Sequence, residues 1–263
     1  MLINNILLHV KRFEVPESKA TIIITHGIAE HSGRYDVMTK KFNNAGFNVV
    51  RYDLRGHGQS QGQRGKLKSF HQFVDDLHAL VVEEKKLQNN KIFLFGHSMG
   101  GLIVHLYGVK YKDVQGIISC AAPTNFMSNI LPLRFFGFRL FGWIPIKTNF
   151  ADQKLSRDRT VEEEYVSDPF NLHKFYISLV GQMFVRGVRY LNKRVNEFTL
   201  PILYIHGEED KIVPEQFSKR MFDLVNSTDK KIVLYPDSYH EVFNDLDQED
   251  AYQKAIEWLS ERV

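Results

Sequence analysis

The chain of 263 residues contains one cysteine, Cys120, so it cannot form an internal disulfide and has no cysteine pair to grip a metal. It also lacks a long apolar run. The most apolar-looking stretch, Asn129 to Ile146, is broken by Pro132, Arg134, Arg139 and Pro145, which a spanning helix of about 20 apolar residues does not tolerate together. The opening segment has no basic residue ahead of its short apolar patch and no small-residue cleavage site, so a secretory signal is not expected. With the lone cysteine, this points to a cytoplasmic setting. Charge of one sign is missing too: 34 Lys and Arg stand against 31 Asp and Glu, a net +3 spread along the chain, and no nucleic-acid partner is expected. No HExxH, P-loop, GxGxxG, internal repeat or low-complexity tract is present.

Hydrophobic residues make up 43% of the chain, enough for a packed core, and the length suits one large α/β domain with an insertion. Short β-branched and aromatic runs recur at Thr21 to Thr25, Phe47 to Tyr52, Lys91 to Phe95, Gly116 to Ser119, Ile202 to Ile205 and Lys231 to Leu234. Several are apolar throughout rather than alternating, as parallel strands covered on both faces are. Helical spacing follows at Phe70 to Gln88, behind a Ser69/Gln72 capping box, and at Pro214 to Val225. It returns after Asp247, with Tyr252, Ile256, Leu259 and Val263 on one face. Strand and helix alternate as in a doubly wound, mostly parallel sheet, with an antiparallel hairpin expected over Leu2 to Val15. The alternation fails between Thr124 and Leu200, where no clear strand appears. Residues 124–200 therefore read as an inserted, mainly helical cap, and 1–123 with 201–263 as the core.

The strongest local pattern is Gly96-His97-Ser98-Met99-Gly100, between a strand and an apolar helix. This is the setting of a nucleophile elbow: Gly96 and Gly100 permit a turn too sharp for side chains, and the serine hydroxyl is pushed out at the sheet edge. A serine alcohol needs a base and a group to orient that base. Asp210 follows the strand at Ile202 and His240 follows the next one, giving the chain order Ser, Asp, His of the α/β-hydrolase fold. Glu208 and Glu209 compete with Asp210, but the helix start at Val213-Pro214 directly after it favours Asp210. The oxyanion hole requires two backbone donors, expected from Met99 and from Ile28 in His26-Gly27-Ile28. His26 either takes part or braces its loop. Cys120, at a strand end, reads as a small buried filler.

Together with His26 to Tyr35, Asp53-Leu54-Arg55-Gly56-His57-Gly58-Gln59-Ser60 and Ser167-Asp168-Pro169, these residues resemble the monoacylglycerol lipase and lysophospholipase branch of the α/β hydrolases. The resemblance implies hydrolysis of a fatty-acid glycerol ester without a cofactor, a cap over an apolar acyl tunnel, and a glycerol head held near Glu30 and Arg34. Those two could equally be a surface ion pair four residues apart. Phe243, three residues after His240, stands where the animal enzymes carry a polar head-group contact. The 124–200 segment carries eleven basic residues against seven acidic and an apolar stretch from Leu131 to Ile146, which suits either packing on the core or peripheral membrane contact. Lysophospholipase or general carboxylesterase activity, an aminopeptidase on the same fold, and a non-catalytic binding protein are the alternatives.

Overall fold

The computed structural model describes residues 1–88, 90–130, 133, 138–148, 150 and 152–263. Strands β1 (Leu2–Ile3) and β2 (Ile6–Leu7) form a small antiparallel ladder, and β3 (Val10–Phe13) leaves it to pair antiparallel with β5 at the edge of the main sheet. The hairpin expected over Leu2 to Val15 is thus only a two-residue ladder. The rest of that segment joins the large sheet.

That sheet has seven strands in the order β11-β10-β7-β6-β4-β5-β3. Its parallel members are β4 (Thr21–Thr25), β5 (Asn48–Tyr52), β6 (Ile92–His97), β7 (Gly116–Cys120), β10 (Ile202–Gly207) and β11 (Lys230–Tyr235). Every residue of β4 to β7 and of β10 is buried, as their unbroken apolar character requires, whereas edge strand β11 is half-exposed.

Side chains alternate between faces with period two. Ile23, Leu94, Ile117 and Ile202 pack on α2 (His71–Gln88) and α3 (Met99–Lys110), while Ile22, Ile24, Phe93 and Phe95 pack on α1 (Asp36–Asn44) and the C-terminal helix. Ser69 N–H donates to Gln72 Oε1 at 3.3 Å, half of the expected capping box.

Between β7 and β10 the alternation is replaced, though not by helix alone. A two-stranded antiparallel ladder, β8 (Pro145–Lys147) with β9 (Lys174–Tyr176), lies in the stretch where no strand was expected. Three residues each, around Pro145, are too short and too mixed to show a period. Helix α4 (Arg159–Ser167) precedes β9, and α5 (Ile177–Val180) runs through a π-helical stretch, Gly181–Gly187, into α6 (Val188–Arg194). Of the apolar stretch singled out in the sequence, Leu131, Pro132, Arg134, Phe135 and Phe136 lie outside the described residues. Phe138 is buried against Gly181, but Leu140 is 77% exposed and Trp143 69% exposed.

Helix α7 (Gln216–Leu224) begins two residues after Pro214, which instead accepts a turn bond from Phe217 N–H. Helix α8 (Gln248–Ser260) stops before Val263, so that residue is not part of its buried face. Among the described residues no helix is long and apolar enough to cross a membrane.

Candidate active site

Parallel pairing aligns the carboxyl ends of the strands: Thr25 faces Gly96, and His97 faces Cys120, which caps the neighbouring ladder with Ile205. The order of strand addition reverses at β4, with β5 on one side of it and β6 on the other, and the crevice at such a switch point is where this architecture takes its ligands. The loops after β4 and β6 supply its walls.

Ser98 is held in a strained backbone conformation, φ 52° and ψ −120°, with its N–H bonded to Cys120 O at 2.9 Å. The turn closes only because it is flanked by glycine. A Cβ on Gly96 would strike the Gly100 carbonyl, and one on Gly100 would strike the carbonyls of Thr25 and His26. Met99 is the first residue of α3, so its N–H has no partner within the helix and faces the end that favours negative charge.

His240 and Ser98 line the same cavity of about 350 Å³. Asp210, whose side chain is fully buried, accepts His240 Nδ1–H on Oδ2 at 2.7 Å and the N–H groups of Ile212 and Val213 on Oδ1 at 2.8 and 2.9 Å. Burial opposes ionisation of this carboxyl, but His240 and His206 outweigh it and hold its pKa well below the usual carboxylate range. Glu208 and Glu209 stay outside: Glu208 pairs with Lys219 at 3.1 Å on the surface.

His206 was not legible in the sequence as a functional residue. Its Nδ1 accepts the Ser218 hydroxyl at 2.7 Å, which puts the ring proton on Nε2, 3.1 Å from Asp210 Oδ2. Its only signal was a histidine ending an otherwise apolar strand, four residues before the acid.

Glu30 and Arg34 do lie on the cavity wall, but not as an exposed pair. Glu30 is 4% exposed and gathers four donors: Gly27 N–H at 2.5 Å, Tyr35 O–H at 2.9 Å, His97 Nδ1 at 3.2 Å and Arg34 Nη1 at 2.9 Å. It thereby braces the turn that carries Ile28, which lines the cavity opposite the elbow. Arg34 reaches on to Glu241 with Nη1 at 2.7 Å and Nη2 at 2.9 Å, and lies over the Tyr165 ring. Burial works against both charges, yet the pairing raises the Arg34 pKa and lowers that of Glu241.

His97 completes the cluster. Its two ring partners, Glu30 Oε1 and His240 O at 3.3 Å, are both acceptors, an arrangement that favours the doubly protonated ring. Burial disfavours that form, but Glu30 raises the pKa. Glu241 and His97 were both missed in the sequence because their partners are 207 and 67 residues away.

The other motif residues are braces. His26 donates from Nδ1 to Gly27 O and accepts Leu54 N–H on Nε2, at 2.8 and 2.9 Å. Asp53 accepts Ser32 and Gln59 N–H, each at 2.8 Å, and Asp168 takes His31 at 2.8 Å. Phe243 does not face the cavity where a head group would lie; it packs edge-on against Phe95 in the core. Cys120 is fully buried. Among the described residues no three His, Cys, Asp or Glu side chains are grouped to hold a metal.

The remaining lining, including Met127, Ile130, Phe150, Phe175, Phe184 and Val213, is mostly apolar. Much of it comes from the segment between β7 and β10, which also bonds to the catalytic loops: Glu241 N–H to Leu155 O and Leu172 N–H to Ala29 O, at 2.8 and 2.9 Å.

A sharp strand-to-helix turn presenting Ser98, a bonded Asp210–His240 pair and an apolar crevice at the switch point are the arrangement of a serine hydrolase. A family model described as serine aminopeptidase, S33, matches residues 16–247. A monoacylglycerol lipase of Mycolicibacterium smegmatis is 30% identical, covering 92% of this chain and 89% of the relative. Phospholipase YtpA of Bacillus subtilis is 27% identical over 90% of this chain and 93% of its own length. Among solved structures, the monoacylglycerol lipase of Paleococcus ferrophilus superposes with a TM-score of 0.87 at 28% identity, covering 98% of this chain and 100% of that one. The chain belongs to the serine aminopeptidase S33 family of α/β hydrolases, in its monoacylglycerol lipase branch.

Proposed function

We propose that the chain hydrolyses monoacylglycerol through an acyl-enzyme, with Ser98 as nucleophile, His240 as base and then acid, and Asp210 as the group that orients His240. The observation that carries this is the pairing of a strained Ser98 with a buried, charged Asp210–His240 dyad around one apolar cavity. His240 takes the Ser98 proton as the hydroxyl attacks the acyl carbonyl, and returns it to the leaving glycerol oxygen. Water, deprotonated by the same ring, then releases the fatty acid. The N–H groups of Ile28 and Met99 receive the developing oxyanion, each worth about a hundredfold or more in rate.

Residues 124–200 act as the cap, and their apolar side chains take the acyl chain. Exposed Leu140, Phe141 and Trp143 suit peripheral contact with a membrane from a cytoplasmic enzyme, because large apolar side chains beside cations bind lipid interfaces by burial and charge together. The aminopeptidase reading needs an acid free to hold an ammonium group; Glu30 and Glu241 are instead both engaged by Arg34.

The test is steady-state hydrolysis of p-nitrophenyl butyrate, a long-chain monoacylglycerol, the matching triacylglycerol, lysophosphatidylcholine and an aminoacyl anilide, with Ser98→Ala as control. Preference for the monoacylglycerol is expected. Preference for the short ester, the lysophospholipid or the anilide overturns the substrate assignment while leaving the nucleophile to be judged by Ser98→Ala.

A further inference from the structure

The head-group end of the cavity contains a cation that could have been a phosphate receptor. A guanidinium presents a planar fork of donors suited to two phosphate oxygens. In this chain the Arg34 fork is filled from within. Glu241 takes Nη1 and Nη2 through its two oxygens, Glu30 Oε2 takes Nη1 as well, and the Tyr165 ring covers a face at 5.0 Å.

Glu241 is itself held in place. Its N–H is bonded to Leu155 O, and its Oε2 also accepts Asn244 Nδ2–H at 2.8 Å. It is 4% exposed, so the Arg34 pair sits where water cannot screen it. Of the other basic groups on the wall, Lys147 is exposed on β8, and the His97 ring is taken up by Glu30 and the His240 carbonyl.

We propose that Glu241, by occupying the Arg34 fork, makes the site select neutral alcohol leaving groups and reject phosphate-bearing esters. A phosphate entering here must displace a bidentate carboxylate and then sit between Glu30 and Glu241, two like charges in a poorly screened place. A neutral polyol faces neither requirement, since its hydroxyls can donate to the carboxylates where they stand. Glu241 therefore acts on specificity rather than on the bond that breaks. The inference rests on the acylglycerol reading above for its natural substrate, but its charge argument does not depend on that reading.

The experiment compares kcat/KM for a monoacylglycerol and for the lysophosphatidic acid with the same acyl chain, with p-nitrophenyl butyrate as a reference lacking a head group. The wild type should favour the neutral ester by at least about a hundredfold. In Glu241→Gln the ratio should move at least about tenfold toward the phosphate ester, mainly through a lower KM. The double variant Glu241→Gln/Arg34→Met should lose that gain, because the freed fork is then absent. An unchanged ratio in Glu241→Gln, or a gain that survives loss of Arg34, overturns the proposal.

A second measurement needs no variant: competition by glycerol and by glycerol 3-phosphate against wild-type hydrolysis of p-nitrophenyl butyrate. Glycerol should compete at concentrations where glycerol 3-phosphate does not; equal or stronger competition by the phosphate overturns the charge argument. If the wild type cleaves p-nitrophenyl butyrate but neither lipid, the acylglycerol reading fails and this competition still decides the role of Glu241.

Discussion

The sheet with its catalytic loops and the segment between β7 and β10 are built on opposite terms. In the first, every residue of five strands is buried, and the Asp210 carboxylate is held by His240, His206 and the N–H groups of Ile212 and Val213. In the second, the elements are short, the centre of its longest helical run is π-helical, and Leu140 and Trp143 face solvent. On the proposed function the difference separates two tasks: the buried frame sets the geometry of bond breaking, and the more exposed wall receives what is bound.

The comparison breaks most sharply at the frame. Ser98→Ala should lower turnover by at least about a thousandfold on every ester, with circular dichroism and melting temperature unchanged, because the cavity and oxyanion donors remain. Asp210→Asn should come next. With the acid gone His240 loses its orientation, and a fall of about a thousandfold or more in kcat is expected with little change in KM. Glu30→Gln removes one charge from a buried cluster and leaves Arg34 and His97 short of it; a loss of about 3 kcal/mol in urea unfolding checks this.

Acid should act on the frame too, with a definite sign. Burial depresses the pKa of His57 to about 3 and of His105 to about 4, so each is neutral in the fold but protonates near 6.5 when unfolded. Their contribution is complete above pH 6.5 and is lost as pH falls toward those values. The urea midpoint should therefore decline between pH 6.5 and 4; His97, whose pKa is raised, adds stability that is complete below pH 6.5 and is lost only above it, so it leaves that decline in place. A flat profile through that window would contradict the burial of both rings. The smallest effect belongs to the looser region: Trp143→Ala with Leu140→Ala should leave p-nitrophenyl butyrate hydrolysis nearly unchanged and lower the rate on vesicle-presented monoacylglycerol by up to about tenfold.

The same division explains what was legible in the sequence. The parallel strands announced themselves because residues covered on both faces must be apolar throughout, and the Ser98 elbow because its glycines are forced by the backbone's own collisions. Asp210 and His240 were singled out from topology, in the loops following the last two parallel strands, and the structure brings them within hydrogen-bond distance. His206, His97 and Glu241 were not, since each earns its place through a partner in space: Ser218 and Asp210, Glu30 and the His240 carbonyl, Arg34. The i,i+4 spacing of Glu30 and Arg34 was visible, but its burial was not, because the groups that cover it, Tyr165 of α4 and Glu241, are distant in the chain. Phe243 looked like a change in head-group contact and proves to be core, a distinction that depends on which way a loop turns.

The most direct test of the central claim is to treat the protein with a long-chain fluorophosphonate and locate the adduct by peptide mass spectrometry. The account predicts one phosphonate on Ser98, none in Ser98→Ala, and slowed labelling in Asp210→Asn. A label on another residue, or labelling that persists in Ser98→Ala, would contradict it.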